Sequence, residues 1–257
     1  MTPAGGRLRP VVFLHGLGGS AADWKETAAA LGKGPHVLAW DLPGFAGSPK
    51  PREGYDPASL ARWLAAALDR EKAEKPLLVG HSIGARVAGE LAALEPARPS
   101  GLALVSPLGA AGYGIADKLK WRAMSRASVV ASTPESTLRR ALGYGFAVDG
   151  PAKRAFVERG LKARSGAEGQ EGIRAMERCV DGVLGSPPLK DRLRGCRVPI
   201  LVVSGEEDPL TPTDEAATIL RACPDADHAV LPGVGHYPHL ESPKALGRLL
   251  LDFLLEL

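Results

Sequence analysis

The chain has 257 residues, of which 45% are hydrophobic and 24% charged, and its formal net charge is +3. This length and composition suit one domain that buries a large core and carries an insertion, and the charge gives no basis for expecting a nucleic acid partner. The three cysteines show no C-x-x-C spacing, which argues against a disulfide framework or a cysteine metal site. Because no apolar run reaches the roughly 18 residues of a membrane span and the first run is too short for a secretory signal, we expect a cytoplasmic protein without a membrane partner.

The first part of the chain alternates short apolar strands with helices. Strands are predicted over 11–14, 36–41, 77–80 and 102–105, and helices over 21–31, from 57 onward and over 83–94. Strict alternation is typical of parallel strands whose sheet is covered by helices on both faces. The sequence therefore predicts an α/β fold with a doubly wound, mostly parallel sheet.

This alternation stops near residue 108. Helical patterns follow over 116–131, 134–146, 152–164 and 171–184, and strands return only at 199–204 and 228–231, with a last helix from 243. An all-helical insertion between two strands suits a lid above the carboxyl edge of the sheet, where open parallel sheets bind ligands. We therefore predict a core formed by 1–107 and 196–257, with a helical lid over 108–195.

A serine stands at the corner between the third strand and its helix, in the segment Gly80-His81-Ser82-Ile83-Gly84. Such a corner forces unfavourable backbone angles on the serine and leaves no space for bulky side chains two residues to either side. The segment resembles the nucleophile elbow of the α/β-hydrolase superfamily. The resemblance implies that Ser82 is a nucleophile and that the backbone N–H of Ile83 forms half of an oxyanion hole.

Further segments resemble the same superfamily. His15-Gly16-Leu17-Gly18 is similar to its H-G-x motif, which implies that the backbone N–H of Leu17 is the second oxyanion donor. The segment 205–212 resembles G-x-x-D-x-x-x-P and implies that Asp208 is the carboxylate of a triad. The segment 233–243 resembles G-x-G-H-x-x-x-x-E-x-P and implies that His236 is the base. The chain order of serine, aspartate and histidine is the one this fold uses.

The resemblance implies a serine hydrolase that cleaves a carboxylic ester, or a related acyl bond, through an acyl-serine intermediate. A carboxylesterase is the leading interpretation, with no cofactor. No metal is expected either, because His236 and His239 lack the i,i+4 spacing of a helical zinc motif. Members commonly begin with two additional strands; since ten residues precede Val11, we expect six strands here.

Other functions remain open at this point. The segment 80–88, which includes Arg86, resembles the menaquinone-pathway synthase that eliminates pyruvate, so a lyase or carbon–carbon hydrolase is the alternative. The segment 16–21 reads G-x-G-x-x-A after a strand, and Asp41 ends the next strand, which together mimic a dinucleotide-binding oxidoreductase. A non-catalytic protein with the hydrolase fold is a third possibility.

The resemblance implies that the substrate is a small ester or acyl compound, and whether it carries a charge is left open. The segment 108–195 contains 16 Lys and Arg against 9 Asp and Glu, so a positive field could attract an anionic substrate, or these residues could simply solvate outer helix faces. Apolar and aromatic residues could equally line an acyl site. The candidates for substrate binding are His15, Trp121, Met124, Leu138, Tyr144, Phe146 and Tyr237. The oligomeric state is left open.

Overall fold

The computed structural model describes residues 8–164 and 166–257. The strands are β1 (Val11–Leu14), β2 (Val37–Trp40), β3 (Leu77–His81), β4 (Gly101–Val105), β5 (Ile200–Gly205) and β6 (Asp227–Leu231). The helices are α1 (Lys25–Ala30), α2 (Pro57–Arg70), α3 (Ile83–Leu94), α4 (Ile115–Ser125), α5 (Ala127–Ser132), α6 (Glu135–Gly143), α7 (Pro151–Ala163), α8 (Gly166–Gly185), α9 (Leu189–Leu193), α10 (Thr213–Ala222), α11 (Pro238–Glu241) and α12 (Pro243–Glu256).

The six strands form one sheet in the order β2-β1-β3-β4-β5-β6, and every neighbouring pair is parallel. The predicted six-stranded parallel sheet is confirmed. The register places Leu14 beside Gly80, and Gly205 beside Leu231, so that the strands end along a common edge. The loops that follow β1, β3, β5 and β6 therefore meet at the carboxyl edge of the sheet.

The core lies on both faces of this sheet. Every residue of β1, β3, β4 and β5 is buried, as expected for parallel strands covered by helices on both sides. Alternate side chains point to opposite layers: Leu14 packs in the layer that includes α2 and α3, whereas Phe13 packs in the layer that includes α12. Helix α2 contributes Leu60, Leu64 and Leu68, whose helical spacing forms one apolar stripe.

Some helix boundaries differ from those predicted. The helix expected over 116–131 is divided into α4 and α5, because Arg126 leaves the helical region with ψ 126°. The helix expected from residue 21 begins with a 3₁₀ turn, Ala21–Trp24, before α1. The short helices α9 and α11 were not predicted, since four or five residues carry no helical periodicity.

Between β4 and β5, the described residues of 108–195 form helices α4–α9 and no strand. Helix α9 packs on α3, with Leu189 and Leu193 fully buried, whereas α4, α5 and α6 bury almost none of their side chains. We therefore propose that the outer helices of this stretch form the lid, and that α9 is part of the core packing. None of the helices that the structure describes is both long and apolar enough to cross a bilayer.

Arg86 connects the two ends of this helical stretch. The sequence left open whether this side chain is exposed on α3, and the structure shows that it is 1% exposed. Its guanidinium donates to the carbonyl oxygen of Gly109, at 3.3 Å, and to that of Pro187. Gly109 precedes α4 and Pro187 follows α8, so Arg86 anchors both ends of the outer helices α4–α8 to the core.

Candidate active site

Ser82 lies in a strained conformation between β3 and α3. Its φ of 53° and ψ of −110° are rare for a residue with a side chain, and strain of this kind is concentrated at functional sites. A Cβ atom on Gly80 would lie 2.3 Å from the backbone of Gly84, and one on Gly84 would lie 2.3 Å from the carbonyl oxygen of Leu14. The two glycines are therefore required by the close approach of backbone to backbone at this corner.

The two residues predicted to supply oxyanion donors, Ile83 and Leu17, both lie near Ser82. Ile83 is the first residue of α3, and Leu17 is in the loop after β1 and lines the same cavity as Ser82. Neither N–H donates to another group among the residues that the structure describes. A helix N-terminus and a fixed loop N–H are suitable donors for a developing oxyanion.

Asp208 and His236 form a buried hydrogen-bonded pair on the loops after β5 and β6. The Nδ1–H of His236 donates to Oδ2 of Asp208 at 2.9 Å, and the hydroxyl of Thr211 donates to the same oxygen at 2.7 Å. The other carboxylate oxygen accepts from the backbone N–H of Leu210 and of Thr211, at 2.8 and 2.9 Å. Because the proton of the neutral His236 imidazole is on Nδ1, its Nε2 can accept a hydrogen bond or a proton.

The environment keeps Asp208 ionised. Burial by itself raises the pKa of a carboxyl group, but here the hydrogen bond and charge of His236 and the two bonds from Thr211 outweigh it, so the pKa of Asp208 is lowered. A carboxylate that remains charged while buried can orient the imidazole and stabilise an imidazolium.

Ser82 and His236 line a common cavity of about 130 Å³. No hydrogen bond joins their side chains in residues 8–164 and 166–257. A bond of this kind is often long before substrate binds and shortens in the complex. The rest of the cavity wall is apolar or aromatic and carries no Lys, Arg, Asp or Glu: Leu17, His81, Leu108, Tyr113, Trp121, Val180, Val183, Leu184, Leu210 and Tyr237.

The candidates for substrate binding divide into three groups. Trp121 and Tyr237 line the cavity beside Ser82, whereas Leu138 lines a separate cavity. His15, Met124, Tyr144 and Phe146 line neither of these cavities: Met124 and Tyr144 are 56% and 62% exposed, and the other two are buried elsewhere. Phe146 stacks behind Tyr237, with ring centroids 4.3 Å apart, and the Nε2 of His15 accepts a hydrogen bond from the N–H of Leu42. We do not propose contact with substrate for these four residues.

His81, to which the sequence analysis assigned no role, lies next to Ser82 in the elbow. It is 2% exposed, lines the cavity, and donates from Nε2 to the carbonyl oxygen of His236 at 2.7 Å. This bond connects the elbow directly to the loop that carries the base. In the sequence, the only feature that could have indicated this contact is the position of His81 next to Ser82 in the elbow motif.

Glu241 holds the same loop from the other side. One oxygen of its carboxylate accepts from the N–H of Gly235 and of Tyr237, both at 3.2 Å, and the other accepts from Ala147 at 2.8 Å. The N–H of His236 also donates to the carbonyl oxygen of Gly145, at 2.6 Å. The histidine loop is therefore bonded to the segment between α6 and α7, and the glutamate of the histidine motif acquires a positioning role.

Three buried histidines surround the pair. Burial lowers the pKa of His15, places that of His81 well below its ordinary value, and lowers that of His239 to about 3; charge on neighbouring histidines lowers the last two further. Nδ1 of His239 has no hydrogen-bond partner among the described residues, and its ring stacks on Trp24 at 4.5 Å. These rings are therefore neutral at physiological pH.

This neutrality makes stability depend on pH. The folded-state pKa of His239 is below the ordinary 6.5, so the unfolded chain binds more protons and the free energy of unfolding falls as pH drops from 6.5 towards 3. Each such histidine contributes a slope of up to about 1.4 kcal/mol per pH unit. We expect His239→Phe, which keeps a ring beside Trp24, to reduce the slope measured by urea unfolding between pH 6.5 and 4.5. His36→Phe, at an exposed position, is the control; an unchanged slope in His239→Phe would contradict this account.

No group of three or more His, Cys, Asp or Glu side chains in the described parts of the chain is arranged to hold a metal ion. The dinucleotide interpretation also meets a physical obstacle. Both carboxylate oxygens of Asp41 accept hydrogen bonds, from the N–H of Ala21 at 2.7 Å and from that of Gly47 at 3.0 Å. The side chain therefore holds two loops together and is not placed to bind the hydroxyl groups of a ribose.

Comparison with known sequences identifies the family. Residues 11–249, nearly the whole chain, match the alpha/beta hydrolase family. The chain belongs to that family. This alpha/beta hydrolase is 30% identical to a protein of Variovorax paradoxus described as the carbamate hydrolase RutD, over 98% of this chain and 93% of that protein. Membership of this family supports a hydrolase and not the dinucleotide-binding interpretation.

Other relatives of the hydrolase differ in length and in described activity. It is 29% identical, over 95% of its own length, to the dihydrolipoyllysine-residue acetyltransferase component of an acetoin cleaving system from Pseudomonas putida, and it spans 63% of that relative. Among solved structures, a thermophilic esterase from Thermogutta terrifontis superposes with a TM-score of 0.84 over 98% of this chain and 91% of that one. At 22% identity, this last likeness is one of fold.

Proposed function

We propose that this alpha/beta hydrolase is a serine hydrolase that cleaves carboxylic esters through an acyl-serine intermediate. The observation that carries the proposal is the strained Ser82, which shares a cavity with a histidine whose Nδ1–H is held by a buried carboxylate. A nucleophile, a base and a group that orients the base are the three parts that acyl transfer to serine requires.

In the proposed mechanism, Oγ of Ser82 attacks the ester carbonyl while Nε2 of His236 accepts the hydroxyl proton. The N–H groups of Leu17 and Ile83 donate to the oxyanion, and Asp208 stabilises the imidazolium. The imidazolium then protonates the leaving alcohol, and the carbon–oxygen bond of the ester breaks. A water molecule, deprotonated by His236, attacks the acyl-serine, and its proton returns to Ser82 as the acid leaves.

The cavity favours an uncharged acyl group. No formally charged Lys, Arg, Asp or Glu lines it, so an anionic acyl group would lose hydration there without gaining a counter-ion. The basic side chains of the lid do not supply one, and Arg86 is committed to two backbone carbonyls. We therefore favour neutral esters over anionic substrates, and ester hydrolysis over the lyase reaction.

Carbamate hydrolysis is a second candidate, because a relative described as a carbamate hydrolase matches nearly the whole chain. The same machinery would act at a carbonyl that bears nitrogen as well as oxygen, through a carbamoyl-serine. Such intermediates differ from acyl-serines only in the group attached to the carbonyl, so the two candidates are separated by substrate preference.

A panel of matched substrates tests the proposal. We expect kcat/KM for a neutral ethyl ester to exceed that for the matching ester with a terminal carboxylate by roughly tenfold or more, since the difference reflects an uncompensated buried charge. The ratio should change little with salt, because an apolar cavity offers no field to screen. The matching neutral carbamate is measured in parallel.

Three results would change the interpretation. Faster hydrolysis of the carboxylate ester, with a rate that falls as the salt concentration rises, would support the hypothesis that the substrate is anionic. Preference for the carbamate would select the second candidate. No turnover of any ester or carbamate by the folded enzyme would refute the proposed hydrolysis.

A further inference from the structure

A second cavity lies close to the first. It has a volume of about 260 Å³ and is enclosed by the loops after β1 and β2 on the core side and by α5–α8 on the other. Its wall is mainly apolar and includes Phe45, Val130, Leu138, Leu142, Ile173 and Met176. Nothing in the mechanism above uses this space.

Helix α8 runs along both cavities. Gly169, Gly172, Ile173 and Met176 line the second cavity, and Val180, Val183 and Leu184 line the first. Successive members are separated by one, three or four positions, so all lie on one face of the helix. At 1.5 Å per residue, Met176 and Val180 are only about 6 Å apart along the axis.

On the core side, too, neighbouring residues line the two cavities. Leu17 lines the first cavity, while Gly18 and Gly19 line the second. The second cavity therefore starts directly after Leu17, the proposed oxyanion donor. No residue of the loop that carries His236 lines this cavity. The leaving oxygen must lie beside His236 to receive its proton, so the acyl group extends to the opposite side, towards Leu17 and Gly18.

Three charged residues line the second wall: Glu168 is exposed to solvent, and Lys50 and Arg164 are hydrogen-bonded to backbone carbonyls. The amine of Lys50 donates to the carbonyl oxygen of Ala46 at 3.2 Å, and Arg164 donates to that of Thr133 at 3.5 Å. What the cavity offers a ligand is thus apolar surface, whose burial contributes in proportion to area. The small cavity at Ser82 alone would hold only a short acyl group.

We infer that the second cavity is the binding site for an extended apolar acyl chain, whose carbonyl lies at Ser82 and whose tail follows the inner face of α8. This inference rests on the proposed function and narrows its substrate class to esters of medium- and long-chain acids. Binding of the chain does not require catalysis, so the two can be tested separately.

The kinetic test compares p-nitrophenyl decanoate with p-nitrophenyl acetate. We expect kcat/KM to favour the decanoate by roughly tenfold or more, because additional methylenes are buried. Gly172→Leu fills the cavity without a backbone clash, since the nearest atom to a Cβ there is Cε of Lys50 at 3.8 Å. This variant should lower the decanoate-to-acetate ratio about tenfold. Gly185→Leu is the matched control on the same helix: it lies outside both cavities, nothing is within 4 Å of its Cβ, and the ratio should not change.

A binding test uses ketones that the enzyme cannot hydrolyse. Methyl nonyl ketone should bind the unmodified enzyme at least roughly tenfold more tightly than methyl ethyl ketone, and Gly172→Leu, but not Gly185→Leu, should remove the difference. If esters are cleaved but chain length and Gly172→Leu have no effect on rate or binding, the acyl-chain site is wrong while the proposed function stands. If chain-length-dependent binding is found without ester cleavage, the site stands and the proposed function fails.

Discussion

Replacement of Ser82 by Ala is expected to lower kcat/KM for an activated ester by roughly 10⁴-fold or more, and His236→Ala is expected to have a similar effect. Without the hydroxyl no acyl-enzyme can form, and without Nε2 nothing accepts the hydroxyl proton. The residual rate would reflect the oxyanion donors and substrate binding alone. Initial rates with p-nitrophenyl acetate over a range of enzyme concentrations provide the measurement.

The control for this prediction is the fold of each variant, monitored by far-UV circular dichroism and by urea unfolding. Asp208→Asn should lower the rate somewhat less, because the base is still present but is less well oriented and its imidazolium less well stabilised. Undiminished activity in folded Ser82→Ala would eliminate the assigned nucleophile.

The second large effect concerns stability at the elbow. Ala is ordinarily preferred to Gly within a helix by about 1 kcal/mol. At Gly84, however, the added Cβ would lie 2.3 Å from the carbonyl oxygen of Leu14 and 2.7 Å from that of His15. Both are backbone atoms of a buried segment and cannot rotate away. We therefore expect Gly84→Ala to lower the free energy of unfolding by about 3 kcal/mol or more. This change is opposite in sign to the one that helix propensity alone predicts.

Gly185→Ala is the matched comparison, since a Cβ there meets nothing within 4 Å and the residue also lies in a helix. Its stability should change by less than about 1 kcal/mol and in the favourable direction. Equal effects of the two substitutions in urea unfolding would show that the close approach of β1 and α3 does not constrain the elbow.

The fold could be predicted from the sequence because it depends on local patterns, whereas Ser82, Asp208 and His236 were proposed because their segments resemble motifs of the α/β-hydrolase superfamily. Strands and helices alternate with clear periodicities, and a serine between two glycines at a strand–helix corner has few alternative conformations. In the structure, Asp208 and His236 are brought together by the parallel register, which places the ends of β5 and β6 side by side. The alternation of strands and helices predicts parallel strands, and consecutive strands are commonly neighbours in such a sheet.

The cavity wall could not be predicted in the same way. Helix α4 buries only Ser125, so its sequence has no apolar stripe to show that Trp121 faces the cavity while Met124 faces solvent. Tyr113 lies in a loop, and its place in the wall depends on how the helical stretch is anchored to the core. The roles of His81 and Glu241 likewise depend on contacts with backbone atoms far away in the chain.

The central claim, that Ser82 is the nucleophile, is tested most directly by covalent labelling. An alkyl fluorophosphonate is incubated with the enzyme, and the site of the adduct is located by peptide mass spectrometry. We predict a single phosphonyl group, formed with loss of fluoride, on Oγ of Ser82; it should be absent from Ser82→Ala and form far more slowly in His236→Ala. Labelling of a different residue, or equal labelling of Ser82→Ala, would contradict the proposed site.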